Sequence, residues 1–197
     1  MTKGEETRQT IVEKAAALLN RRGFSGFSMA AMMEATGLEK GGIYRHFDSK
    51  EQLASEAFEY AWKAALGTRM RDLDSISNSV EWLRQFIRNF VHRRSPIPGG
   101  CPLFNTAVDA DDGNPVLRQL ALRALRGWRD DLIQAVKRGI ERREIKQEIN
   151  PKELADIIIS SLEGALMMSR LEGDKEALLA AQSFLDSYLD TQIRLRR

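Results

Sequence analysis

The sequence predicts an all-α protein of about nine helices. Three observations lead there. Apolar residues recur at three- and four-residue spacing through almost every segment, strand-type alternation is nearly absent, and cap residues, prolines and glycines fall where helices should begin and end. In "ETRQTIVEKAAALLNRRG" the residues Ile11, Ala15, Leu18 and Leu19 share one helical face, and Gly23 supplies a stop. Ser28 N-caps a short helix, "MAAMMEA", ended by Thr36-Gly37, and a third helix begins near Glu39 and ends near Phe47. Asp48 or Ser49 restarts the chain, with Ser49 and Gln52 spaced as a capping box. A long helix to about Leu73 carries Leu53, Ala57, Phe58, Ala61, Trp62 and Ala65 on one side. The next, about Val80 to Arg93, turns Leu83, Phe86, Ile87 and Phe90 inward.

The segment "SPIPGGCP" holds three of the five prolines and reads as a loop, leading into the entry "PGGCPLFNTAVDADDGNP". Asn114-Pro115 and Asn150-Pro151 each pair an N-cap with proline at the first helical position, starting helices near 115–142 and 151–171. Asp174 caps a last helix to about Leu195.

Composition narrows the function. The net charge of +2 argues against coating a polyanion, and all of it falls in residues 1–50, with eight Lys+Arg against six Asp+Glu. One cysteine, Cys101, excludes an intrachain disulfide and a thiolate metal cluster. No apolar run approaches a membrane span and the N-terminus lacks a signal-peptide core, so a cytoplasmic location and no membrane partner are expected. Only two histidines, His46 and His92, occur, and no nucleophile, metal-ligand or phosphate-loop set stands at usable spacing; an enzyme is the weaker alternative, and no cofactor is expected.

The stretch "LEKGGIYRHFDSK" carries the strongest signal. Two glycines, Gly41 and Gly42, interrupt a helical pattern at a cost of roughly 0.5–1 kcal/mol each, amid the donors Lys40, Tyr44, Arg45, His46 and Lys50. Residues 28–47 have the spacing of a helix-turn-helix, with Gly37 in the turn. In that motif the start of the second helix meets base edges in the major groove, so absent side chains at Gly41 and Gly42 would let backbone approach DNA. Lys40 is the candidate base reader; Ser28, Tyr44, Arg45, His46 and Lys50 are the remaining candidate DNA contacts, with Lys50 in the first turn of the next helix.

Gly37, the run Lys40-Gly41-Gly42-Ile43-Tyr44-Arg45-His46-Phe47, then Lys50 and Leu53, resemble the N-terminal pattern of the TetR family of bacterial transcriptional regulators. Met33, Thr36, Glu39 and Gly42 depart from the family's commoner residues. The resemblance implies a DNA-binding domain over residues 1–48 and a ligand-sensing, dimerising domain over 49–197. It also implies repression through a palindromic operator and release by a small molecule.

The expected homodimer surface lies on the last two helices, one carrying Ile157, Ser161, Gly164 and Ala165 and the other Leu178, Ala181, Leu185 and Tyr188; burial within one chain is the other reading. For the ligand, the family implies a cavity among the middle helices, with Trp62, Phe86, Phe90, Cys101, Phe104, Trp128 and Met167 as candidates; a packed core is the other reading of the same aromatic and methionine residues. Cys101 is either a packed thiol or a sensor of oxidants or electrophiles. Asp109, Asp111 and Asp112 read as a solvated acidic helix end, not a metal cluster.

Overall fold

Several helix starts in the computed structural model, which describes residues 2–196, are capped by short polar side chains. Thr2 and Glu5 form a capping box at the start of α1 (Lys3–Gly26). The Ser28 hydroxyl accepts from the Ala31 N–H at the start of α2 (Met29–Thr36). Next come α3 (Lys40–Tyr44) and α4 (Lys50–Arg69). Asn78 caps α5 (Ser79–His92), Cys101 precedes α6 (Pro102–Ala110), Asn114 caps α7 (Pro115–Glu141), and Asn150 caps α8 (Pro151–Glu172). The final α9 (Glu176–Tyr188) runs into a π-helical turn, Leu189–Ile193. Among the described residues there are nine α-helices and no strand, only an isolated antiparallel bridge between Ile145 and Arg194.

Several boundaries move from their expected places. Gly23 breaks the helical geometry with φ +66°, but a further turn continues to Gly26. The third helix is one turn long, closing at Tyr44. The fourth stops at Arg69, not Leu73, because the Asn89 amide donates to the carbonyls of Arg69 and Arg71 and Asp72 takes a positive φ of 64°. Asp174 does accept a hydrogen bond at the start of α9, from the Glu176 N–H.

The chain divides into two compact units, each discontinuous in sequence: Met1–Leu66 with Ser95–Ala124, and Gly67–Arg94 with Leu125–Arg197. In the first unit α1 packs against α2 and α6, burying Ile11, Ala15 and Leu19, while Ile43 near the end of α3 and Phe47 just after it are buried as well. In the second unit α8 and α9 pack on each other and both on α5. Its core holds Trp82, Phe86 and Phe90 with Trp128 of α7, then Leu154, Ile158 and Leu162 of α8, and Leu178 and Leu185 of α9.

Candidate nucleic-acid interface

The helix-turn-helix forms as its residues dictate. Gly37 takes the left-handed conformation at φ +70°, which costs a glycine little. The Thr36 hydroxyl donates to the Met32 carbonyl and accepts from the Leu38 N–H, tying the turn to α2. Ile43 is fully buried and anchors α3, and Met32 of α2 and Phe27 ahead of it are buried as well. Phe47 is buried under the Arg8 guanidinium, 4.7 Å from its ring, and Arg8 in turn pairs with Glu56 at 2.7 Å. The module is therefore fastened from behind by apolar side chains and one ion pair.

Its other side is polar and open. Lys40, Gly41, Tyr44, Arg45 and Ser28 are exposed, and Gly42, His46 and Lys50 are partly so. The Lys40 ammonium lies 5.8 Å from the Tyr44 ring centroid, a cation–π distance that gathers the two on one side of α3. A Cβ at Gly41 would meet nothing within 4 Å, and one at Gly42 would meet only Leu38 Cβ at 3.7 Å. The fold itself therefore has no steric need for either glycine. Lys50 is placed differently from the others: its Nζ donates to the Phe24 carbonyl at 2.9 Å and lies 4.1 Å from the Phe24 ring. One of its three donors is thus committed inside the protein.

Comparison with known proteins decides the family. Residues 11–57 match the description "Bacterial regulatory proteins, tetR family", and residues 79–185 match "Tetracyclin repressor-like, C-terminal domain". The chain belongs to the TetR family. Among TetR-family relatives, the transcriptional repressor DhaR of Mycobacterium sp. (strain GP1) is 28% identical over 172 residues, covering 87% of this chain and 86% of that one. A TetR transcriptional regulator from Chloroflexus aurantiacus J-10-FL is 41% identical over the whole of both chains, with a TM-score of 0.95. The TetR fold is also shared, at 23% identity and a TM-score of 0.79 over 93% of this chain and 95% of that one, by a cysteine mutant of CifR complexed with 26bp double-strand operator DNA.

The residues expected to line a ligand cavity do not all gather in either unit of this TetR-family chain. Phe86, Phe90 and Trp128 come together in the second, Phe90 and Trp128 parallel at 6.2 Å and Phe86 tilted against Trp128 at 6.0 Å. Met167, in the same unit, is 42% exposed on α8. Trp62, Cys101 and Phe104 belong to the first unit, where Trp62 is half-buried, Cys101 buried and Phe104 exposed. Two open surface grooves of about 550 and 570 Å³, one beside Arg129 and Asp156 and one beside Glu59 and Val116, involve none of these seven.

Sequence reasoning missed the charged pair beside the aromatic cluster. The Arg69 guanidinium lies 4.4 Å from the Phe90 ring and 4.8 Å from that of Trp128, with Glu163 at 3.6 Å. A signal existed, because Arg69 extends the apolar row Ala57, Ala61, Ala65 by one more step of four, and Glu163 extends Ala155, Ile159 in the same way.

On the last two helices, Ala165, Leu178 and Leu185 are buried within the single chain. Ile157, Ser161, Gly164, Ala181 and Tyr188 are half-buried. The apolar side chains left in solvent are instead Met167, Met168, Leu171, Leu179 and Phe184, with Phe184 stacked on Tyr188. The acidic end of α6 is not merely solvated either: Asp109 accepts a hydrogen bond from the Phe24 N–H. Among the described residues no group of three or more His, Cys, Asp or Glu could hold a metal ion.

Proposed function

We propose that this protein is a transcriptional repressor that reads a palindromic operator as a dimer and leaves it on binding a small molecule. The observation that carries the DNA reading is the pair Gly41 and Gly42. They weaken a five-residue helix, no atom of the fold needs the space, and Lys40, Tyr44 and Arg45 surround the gap with donors. Close approach of DNA backbone and base edges to the start of α3 accounts for all three facts. DhaR, similar over most of the chain, is a repressor, and the similarly folded CifR mutant was complexed with operator DNA.

The dimer rests on the apolar strip of α8 and α9. Leu171 is 80% and Phe184 60% exposed, more than one isolated apolar residue needs explaining by. Two copies joined there would bind two half-sites together, about 34–36 Å or a multiple of it apart. For the ligand, the aromatic cluster of the second unit, Phe86, Phe90 and Trp128, with the buried Arg69–Glu163 pair beside it, is the candidate neighbourhood.

Selection of DNA fragments from a randomised duplex pool tests the reading. Wild type should retain a two-fold symmetric sequence, and Lys40→Ala should lose about 1–3 kcal/mol on that sequence while keeping its affinity for random duplex. Equal losses on both would show that Lys40 reads no base, and a pool left unenriched by wild type would reject DNA recognition.

A further inference from the structure

One residue, Phe24, has both of its backbone polar groups held by side chains from other helices. Its N–H donates to Asp109 Oδ2 of α6 at 2.7 Å, and its carbonyl accepts from Lys50 Nζ of α4 at 2.9 Å. One turn earlier, the Asn105 amide of α6 donates to the Asn20 carbonyl, to Asn20 Oδ1 and to the Gly99 carbonyl, each at 2.9 Å. The Asn20 amide, buried in the row Val12, Ala16, Asn20, donates back to the carbonyls of Pro98 and Gly100 at 3.0 and 3.3 Å.

The backbone is shaped around these bonds. Gly23 has φ +66°, and a Cβ there would stand 2.5 Å from Asp109 Oδ1. Gly99 has φ +116°, and a Cβ there would stand 2.9 Å from the Asn20 carbonyl oxygen. Two left-handed glycines thus let the end of α1 approach both the C-terminal end of α6, at Asp109, and the loop ahead of α6, at Gly99.

This clasp sits directly ahead of the helix-turn-helix. Phe24 lies four residues before Ser28, the cap of α2, and Lys50 opens the helix after α3. Apolar packing tolerates small slides between helices, whereas a hydrogen bond weakens steeply with angle and admits one register. We propose that Asn105 and Asp109 are positioning residues for DNA recognition: without touching DNA, they fix the end of α1 and so the direction in which α2 and α3 leave it. This rests on the reading of α3 as the DNA-contacting helix.

The test uses the sequence selected by wild type and a random duplex of equal length. Asp109→Ala and Asn105→Ala should each lose about 5- to 30-fold in affinity for the selected sequence, with random-duplex affinity and salt slope unchanged, since no phosphate contact is removed. Asp109→Asn keeps an acceptor for the Phe24 N–H and should retain wild-type selectivity. Cooperative melting of both alanine variants is expected. Variants that bind the selected sequence like wild type overturn the positioning role alone, as do equal losses on both duplexes or loss of the cooperative melt, which would make the residues structural. Failure of wild type to select any sequence would reject the DNA reading, and the positioning role with it.

Discussion

Arg69, the last residue of α4, lies 3.6 Å from Glu163 of α8, with both side chains over nine-tenths buried. Burying two charges is expensive, and their mutual attraction recovers that cost only while both are present. The faces of Phe90 and Trp128, 4.4 and 4.8 Å away, add cation–π attraction to the guanidinium. Glu163→Leu alone should therefore destabilise the protein by about 3–5 kcal/mol. Adding Arg69→Met should restore most of that loss, so urea unfolding of the two singles and the double will show strong non-additivity.

The glycine pair yields a prediction of opposite signs. Gly42→Ala places a methyl in ordinary contact with Leu38, and Gly41→Ala places one in open space, so each should stabilise the fold by up to about 1 kcal/mol. Operator affinity should fall in the same variants. A stabler protein with undiminished binding would remove the close-approach argument.

The α8–α9 surface is tested without disturbing the protomer. A Cβ on Gly164 already has nothing within 4 Å, and Phe184 is 60% exposed. Gly164→Trp and Phe184→Glu should fold normally yet sediment as monomers at micromolar concentration. Dimers of wild-type strength in both would move the interface to another face.

Two carboxylates should respond to pH in opposite directions. The Lys152 hydrogen bond, then the charges of Arg129 and Lys152, hold Asp156 below the usual carboxylate range. Its contribution is therefore present at neutral pH and lost as pH falls through its folded pKa. Burial, then the neighbouring Asp130, push Asp131 above its usual value. Its ionised form is thus a burden to the folded state, absent at low pH and growing as pH rises through the folded pKa. Melting followed from pH 3 to 7 should show Asp156→Asn less stable and Asp131→Asn more stable than wild type near neutrality, with both differences shrinking in acid.

Helix content, order and most helix starts were legible along the chain, because a cap is a local interaction. Ser28, Asn114 and Asn150 each satisfy an N–H two or three residues away, and nothing distant is needed to place them. The helix-turn-helix was legible for the same reason: Gly37, Ile43 and Phe47 specify a turn and two buried anchors within twenty residues. Helix ends were less so. The fourth helix stops at Arg69 because Asn89, twenty residues on, takes its last carbonyls, a competition between helix and side chain that spacing cannot reveal.

By itself, the sequence determined an all-helical TetR-family chain whose helix-turn-helix has two glycines in its second helix. Only the tertiary structure decided which apolar face of α8 and α9 is spent inside the protomer, since Leu178 and Leu185 share a helix with Leu179 and Phe184 and differ from them only in direction. Only it decided that α6 is fastened to α1, through Asn105 and Asp109 reaching residues 85 positions away, and that Lys50 leans on Phe24. The reason is physical. Caps and periodic faces are set by neighbours along the helix, whereas a polar side chain that ends an apolar row, such as Asn20, Arg69 or Glu163, takes its meaning from a partner that folding alone brings near.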